Sequence, residues 1–301
     1  MFVLPEVSDE ELLALESRVQ EAQRRRSIEG MTAFGFGEVS IALGWPSEAP
    51  RFVAKRLIPM DDAARVDAPL AAIDAYVGRF VERGHHVLPT QTRRVERPDG
   101  RHVGYVLQPV VAKDQLAETV LKTEAPAVAH PLLLAVREFV EACGGDGIML
   151  DAQIPNFTWV DGKVSLLDVT SPGFFDQSAK LDNPMADMSN QLVPAVLRPA
   201  MVKATDDILQ TYRGFHNQLT QVCVFLYRVN ADAWVPPAIE TFNEVLDVPI
   251  DAAVVLEKWE KNKKDFPKIK KLLQMQRAWQ EKVRRVPYEY LITDSFTGEV
   301  L

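Results

Sequence analysis

Two aspartates and an asparagine lie close together in the stretch LDAQIPNFTWVDGKVSLLD, residues 150 to 168, at a spacing that can do chemistry. An apolar approach, Gly147-Ile148-Met149-Leu150, delivers Asp151, and Ala152-Gln153-Ile154-Pro155 carries the chain on to Asn156. Two short alternating runs follow, Phe157-Thr158-Trp159-Val160 and Val164-Ser165-Leu166-Leu167, with Asp161-Gly162 between them as a strong turn signal. The pattern predicts a β-hairpin with Asn156 just ahead of its first strand and Asp168 just past its second. Both side chains then emerge at one end, and Asp151 can fold back over it. Oxygen atoms grouped in this way suit a hard divalent cation shared with a phosphorylated ligand, with one carboxylate left to act as a base toward a hydroxyl. The same residues also fit a turn-rich surface hairpin whose Asp and Asn side chains only cap backbone groups.

The chain around the hairpin holds the elements that would position it. Ser8-Asp9-Glu10-Glu11 is a capping box that opens a helix to about Arg26, with Leu12, Leu15, Val19 and Ala22 along one face. From Ile28 to Leu57 the pattern is strand, turn, strand: Phe34 to Leu43 alternates after Gly35 and Gly37, Gly44 to Pro50 makes a long turn, and Arg51 to Leu57 returns carrying Lys55. Glycines ahead of a strand let the backbone approach a ligand, and amides in such a turn can face phosphate oxygens, although a tight hairpin entry uses the same residues. A helix from Pro69 to Gly84 has Leu70, Ile73, Val77 and Phe80 as its buried stripe and Asp74 on the flank, where a carboxylate can reach a lysine on an adjacent strand. Gln91 to Val95 and Arg101 to Leu107 read as two more strands, and Gln108-Pro109-Val110-Val111 as a linker. Beyond residue 112 the pattern is mainly helical. One helix, from about His130 to Cys143, leads into the Asp151 segment, another runs from Asp206 to Val229, and short, highly charged helical candidates fill the last sixty residues.

In this order the glycine turn, Lys55, the Asp74 helix, the linker, Asp151, Asn156 and Asp168 resemble the protein-kinase-like superfamily, most closely in style its small-molecule members, the aminoglycoside and choline kinases. The resemblance covers about residues 28 to 230. It implies an α+β, two-lobed fold: an N-terminal helix over 1–27, a β-rich antiparallel N-lobe over 28–108, and a helical C-lobe over 109–301 that holds the catalytic hairpin 151–168. It also implies ATP and Mg²⁺ as cofactors and transfer of the γ-phosphate to a hydroxyl on a small molecule. By the same resemblance Asp151 is the catalytic base, Asn156 and Asp168 are magnesium ligands, Lys55 pairs with the α- and β-phosphates, and Asp74 is the acidic partner that holds Lys55. Gly35, Phe36 and Gly37 correspond to the phosphate-covering loop, Val39 packs on adenine, and Gln108 to Val110 offer backbone hydrogen bonds to the adenine edge. The chain departs from the family pattern at Thr32 and Phe34, where the first two loop glycines would stand, at Val169-Thr170 in place of Phe-Gly, and at Met149-Leu150 in place of His-Arg or His-Gly. Those departures also fit a pseudokinase, a nucleotide-binding or scaffolding module with a protein partner.

At 301 residues and a net charge of -8, the chain has room for two lobes and lacks the basic balance of a broad nucleic-acid-binding surface. No apolar run approaches the length of a membrane span, and MFVLPEVSDEEL has neither a basic region nor a long hydrophobic core, so the expected location is cytoplasmic, without a membrane partner. Cys143 and Cys223 sit in apolar surroundings and read as two buried thiols, and the histidines show no zinc spacing. The basic residues between Lys268 and Arg285 fit a solvated helix face or contact with an anionic substrate or partner.

Overall fold

The computed structural model describes residues 2–36, 41–144, 147–175, 181–182, 212–286 and 288–289. Its N-terminal part is a five-stranded antiparallel sheet in the order β1 (Thr32–Phe36), β2 (Ile41–Trp45), β3 (Phe52–Arg56), β5 (His102–Pro109), β4 (Gln91–Glu96). The central strand β3 is buried along its whole length, and alternate residues serve opposite faces. Phe52, Ala54 and Arg56 face the first helix, α1 (Asp9–Arg25), whereas Lys55 faces the other way, toward the β-hairpin.

Helix α1 begins where the capping box places it. The Glu11 amide donates to Ser8 Oγ at 3.2 Å and the Ser8 amide donates to Glu11 Oε2 at 3.0 Å. Its stripe of Leu12, Leu15, Val19 and Ala22 packs on Leu43, Phe52, Ala54, Tyr105 and Leu107 of the sheet. On the opposite face α2 (Ala63–Glu82) lies over β4 and β5. A Cβ at Gly104 of β5 would stand only 3.0 Å from Val66 and 3.2 Å from Leu70, so the glycine lets the helix sit close to the sheet. The helix starts at Ala63, under a cap in which the Ala64 amide donates to Asp62 Oδ1 at 2.9 Å, and not at Pro69 as the sequence pattern predicts. That cap and the burial of Val66, Pro69 and Leu70 outweigh the missing proline N–H.

The single alternating run expected from Phe34 to Leu43 is divided between β1 and β2, and Gly35 and Phe36 belong to β1. Gly44 and Trp45 close β2 and do not open the turn. A Cβ on Gly44 would lie 2.5 Å from the Phe34 ring and 2.8 Å from Pro50, so this glycine serves a close approach within a strand. Gly37 and Val39, assigned by resemblance to the nucleotide, fall outside the described residues.

The C-terminal part is helical: α3 (Ala117–Thr123), α4 (Pro131–Gly144), α5 (Phe215–Arg228), α6 (Val235–Asn243) and α7 (Ala252–Trp279). Their apolar faces form one core that continues into α2 and the residues just after β3, and both cysteines are buried in it as free thiols. Of the helix expected from Asp206, residues up to 211 lie outside the described set. Where short charged helices were expected, α7 is one helix of 28 residues, capped by Asp251 and packed on α5. Its last turn and the residues just after it meet the end of α1, with Arg277 Nη2 donating to the Gln23 carbonyl at 3.4 Å and Arg26 paired with Glu281 at 2.8 Å. Among the described residues no helix is long and apolar enough to cross a membrane.

Candidate functional site

The hairpin forms as its turn chemistry dictates. Strands β6 (Phe157–Val160) and β7 (Lys163–Leu166) pair in the register Phe157↔Leu166 to Val160↔Lys163, and Asp161 (φ 52°) and Gly162 (φ 74°) both take the left-handed conformation a two-residue turn needs. At the open end the Leu167 amide donates to the Asn156 carbonyl at 2.7 Å, so the residues before β6 and after β7 stand side by side. Asn156 Nδ2 donates to the Asp151 carbonyl at 2.9 Å and ties Asp151 to that end.

The run ahead of Asp151 is held from three directions. The Met149 amide donates to the Gly173 carbonyl at 3.0 Å, the buried Tyr76 hydroxyl of α2 donates to the Met149 carbonyl at 2.8 Å, and Gln218 Nε2 of α5 donates to the Ile148 carbonyl at 3.2 Å. Burial drives the Tyr76 phenol well above its usual range, with Cys143, Asp151 and Asp168 adding to the effect, so it stays a protonated donor.

Lys55 reaches across from β3. Its Nζ lies 2.8 Å from Asp168 Oδ1 and 3.3 Å from the Leu167 carbonyl, which also accepts from Gln108 Nε2 at 2.8 Å. Asp168 Oδ1 takes two further hydrogen bonds, from the Thr170 hydroxyl at 2.7 Å and the Thr170 amide at 3.1 Å. Burial pushes the Asp168 carboxyl up. The Lys55 charge and hydrogen bond, together with the two Thr170 donors, outweigh that and hold it below the ordinary aspartate range. The protein surrounds this carboxylate on most sides, yet 31% of the side-chain surface stays open, against 10% for Lys55. Among the described residues Oδ2 has no hydrogen-bond partner and remains available to a ligand. In Asp151 each carboxylate oxygen accepts from Gln153 Nε2 at 2.8 Å.

Lys55, Asp151, Asn156 and Asp168 are thus joined through direct bonds and the Leu167 backbone. Asp74 is not part of this group. It is exposed on α2 and accepts from Thr92 Oγ1 at 2.7 Å, because α2 lies over β4 and β5 and its flank meets the edge strand and not β3. The acid that holds Lys55 is Asp168. Replacing Asp74 with Ala is expected to cost about 1 kcal/mol or less, the worth of one exposed hydrogen bond, and to leave ligand affinity at Lys55 unchanged, as urea unfolding and calorimetry will show. Gln108 also differs from its expected role. It lies within β5, paired with Val53, and it is the side chain that reaches the site; Val110 follows just past the strand. Gly35 is placed favourably. Register puts Gly35, Ala42, Lys55, Val106 and Thr92 in one row across the same sheet face, and a Cβ added to Gly35 would meet nothing within 4 Å. Open space thus lies over Gly35, two strands from the lysine on the same sheet face.

Two oxygens, Asp168 Oδ2 and Asn156 Oδ1, suit a hard cation. Among the described residues no group of three or more His, Cys, Asp or Glu could hold a metal. Two surface hollows, of about 290 and 600 Å³, lie by the hairpin turn and by the N-terminal residues and include none of the site residues. Tyr76 and Thr170 were missed in the sequence. Tyr76 keeps the helical spacing of Leu70, Ile73 and Phe80, and Thr170, two residues past Asp168, has the turn-forming hydroxyl that signals such a bond.

These features define an α+β protein with a lysine–aspartate site between an antiparallel sheet and a hairpin. The chain belongs to a family of unknown function, DUF6206, whose model matches residues 14–277. No curated protein matches it. The matched span contains Lys55, Asp151, Asn156 and Asp168.

Proposed function

We propose that the chain is an ATP- and magnesium-dependent phosphotransferase of two-lobed, kinase-like fold that moves a γ-phosphate to a hydroxyl on a small molecule. The observation that carries this reading is the 2.8 Å pair between Lys55 of the central strand and Asp168 at the hairpin end, where Asp151 and Asn156 are also bound. Lys55 is the buried cation that would meet the negative charge of the phosphates, and Asp168 answers that charge in the free chain. Asp168 and Asn156 would hold Mg²⁺, which supplies neutralisation of phosphate charge. Asp151, kept in place through its carbonyl by Asn156 and through its carboxylate by Gln153, would orient the acceptor hydroxyl and take its proton. The open space over Gly35, on the sheet face of Lys55, would receive part of the nucleotide.

A second reading, a nucleotide-binding scaffold without transfer, is favoured by one observation: Gln153 Nε2 donates to both oxygens of Asp151, which makes the carboxylate a weaker base toward a hydroxyl. Phosphorus NMR on the protein with ATP, Mg²⁺ and a panel of amino alcohols, sugars and other hydroxylated small molecules separates the two. New phosphomonoester signals are the expected result. ATP binding without consumption across the panel would favour the scaffold.

A further inference from the structure

Directly behind Lys55, on the other face of β3, lies a buried cluster of charges. Arg56 donates to Glu16 Oε2 and Oε1 at 2.7 and 2.8 Å, and Glu16 also accepts from the Tyr105 hydroxyl at 2.6 Å and from Arg97 at 3.3 Å. From the C-terminal end Glu289 enters the same cluster. Its carbonyl accepts from Arg56 Nη1 at 2.7 Å, and its carboxylate accepts from Arg97 and Arg101 at 2.9 Å each. Glu16, Arg56, Arg97 and Glu289 are all buried, and Tyr288 beside them is buried with Arg277 stacked 5.6 Å from its ring. Three guanidiniums and two buried carboxylates therefore share one site, with Arg101 at its partly open rim and Asp99 and Asp61 pairing with Arg97 and Arg101 from the exposed side. Its members come from α1, β3, the turn between β4 and β5, and the last described residues.

We infer that the Glu16–Arg56–Glu289 cluster is the positioning machinery of Lys55, with Glu289 docked behind β3 so as to set where the lysine meets Asp168. Neighbouring residues of a strand point to opposite faces, so a side chain fixed on one face fixes the height and twist at which its neighbour leaves the other. Arg56 is bonded from both ends of the chain at once, by Glu16 and by Glu289. Burying so many charges is costly, and removing either carboxylate halves the buried counter-charge that Arg56 and Arg97 share. Glu289 lies past residues 14–277, the span that the family model matches. The inference concerns the observed lysine–aspartate pair and holds whichever ligand the site takes.

The test is pulsed acetic anhydride labelling of the full-length chain, read by mass spectrometry at each lysine without nucleotide. Wild-type Lys55 is protected by burial and by its ion pair. In Glu289→Gln its labelling is expected to rise by about tenfold while exposed lysines such as Lys113 and Lys122 label as before, because only the charge behind β3 has gone. Arg101→Gln, which loosens Glu289 from the rim of the cluster, is expected to give a smaller rise and keeps the test open should Glu289→Gln fail to fold. Val255→Ala, at the start of α7 in the helical core and matched for its loss of unfolding midpoint, is expected to leave Lys55 protected. Wild-type protection in both cluster variants, or an equal rise in Val255→Ala, overturns the inference. No ATP is needed, so the result stands apart from the phosphotransferase reading.

Discussion

Glu16→Ala is expected to lose about 3–5 kcal/mol of stability, the range for a buried ion pair broken from one side. The carboxylate accepts from Arg56, Arg97 and Tyr105, and its removal leaves the buried Arg56 and Arg97 to share Glu289 as their remaining buried carboxylate. Burial pushes the Glu16 carboxyl up, but Arg56 first, then Tyr105 and Arg97, bring it below the ordinary value of 4.5. A depressed acid contributes stability that is fully present above about pH 4.5 and is lost as pH falls from there through the lower folded value. Urea unfolding from pH 7 to pH 3 is therefore expected to show a steep acid loss in wild type and a shallower one in Glu16→Gln, which has no such charge to lose. A Glu16→Ala loss below about 1 kcal/mol would place the cluster among weak surface pairs and contradict the account.

Asp151→Asn is expected to slow phosphate transfer by about 10²–10⁴-fold, the usual worth of a positioned general base. ATP affinity is expected to stay close to wild type, since in the proposed reaction Asp151 would meet the acceptor and not the nucleotide. The amide keeps the shape of the side chain and leaves the Asn156 bond to the residue 151 carbonyl intact, so the drop falls on the chemical step. The measurement is a single-turnover transfer rate beside calorimetric affinity, on whichever acceptor the phosphorus NMR panel identifies. An unchanged rate would remove Asp151 from the reaction.

Local signals account for what was legible in the sequence. The Ser8 capping box and the Asp161-Gly162 turn each act within four residues, and both structures form as read. The hairpin in turn places Asn156 and Asp168 at one end by the pleat alone. Lys55 and Asp168, 113 residues apart, are joined as parts of one site, though not in the expected manner: Asp168 takes the place assigned to Asp74. That difference turned on which strands α2 covers, and no periodicity within the helix encodes its lateral position on a sheet. Glu16 was legible in part. At four residues from Leu12 and three from Val19 it lies on the apolar stripe of α1, where a charge calls for a buried partner. The partner, Arg56, sits in a strand buried on both faces, and the second carboxylate is 233 residues further on at Glu289, a distance at which single-sequence patterns carry no pairing information. Pro69 misplaced the start of α2 because proline is commonest in a first turn, whereas Asp62 supplied the actual cap.

The account rests on a magnesium-dependent nucleotide site at Lys55 and Asp168, and calorimetric titration of ATP with and without Mg²⁺, on wild type and on Asp168→Asn, tests it most directly. The predicted result is binding that tightens with Mg²⁺ in wild type, and a variant, shown by circular dichroism to be folded, in which that gain is weakened by about 10–100-fold. A folded wild type that binds no ATP, or an Asp168→Asn variant that binds it with the same magnesium dependence, would contradict the account.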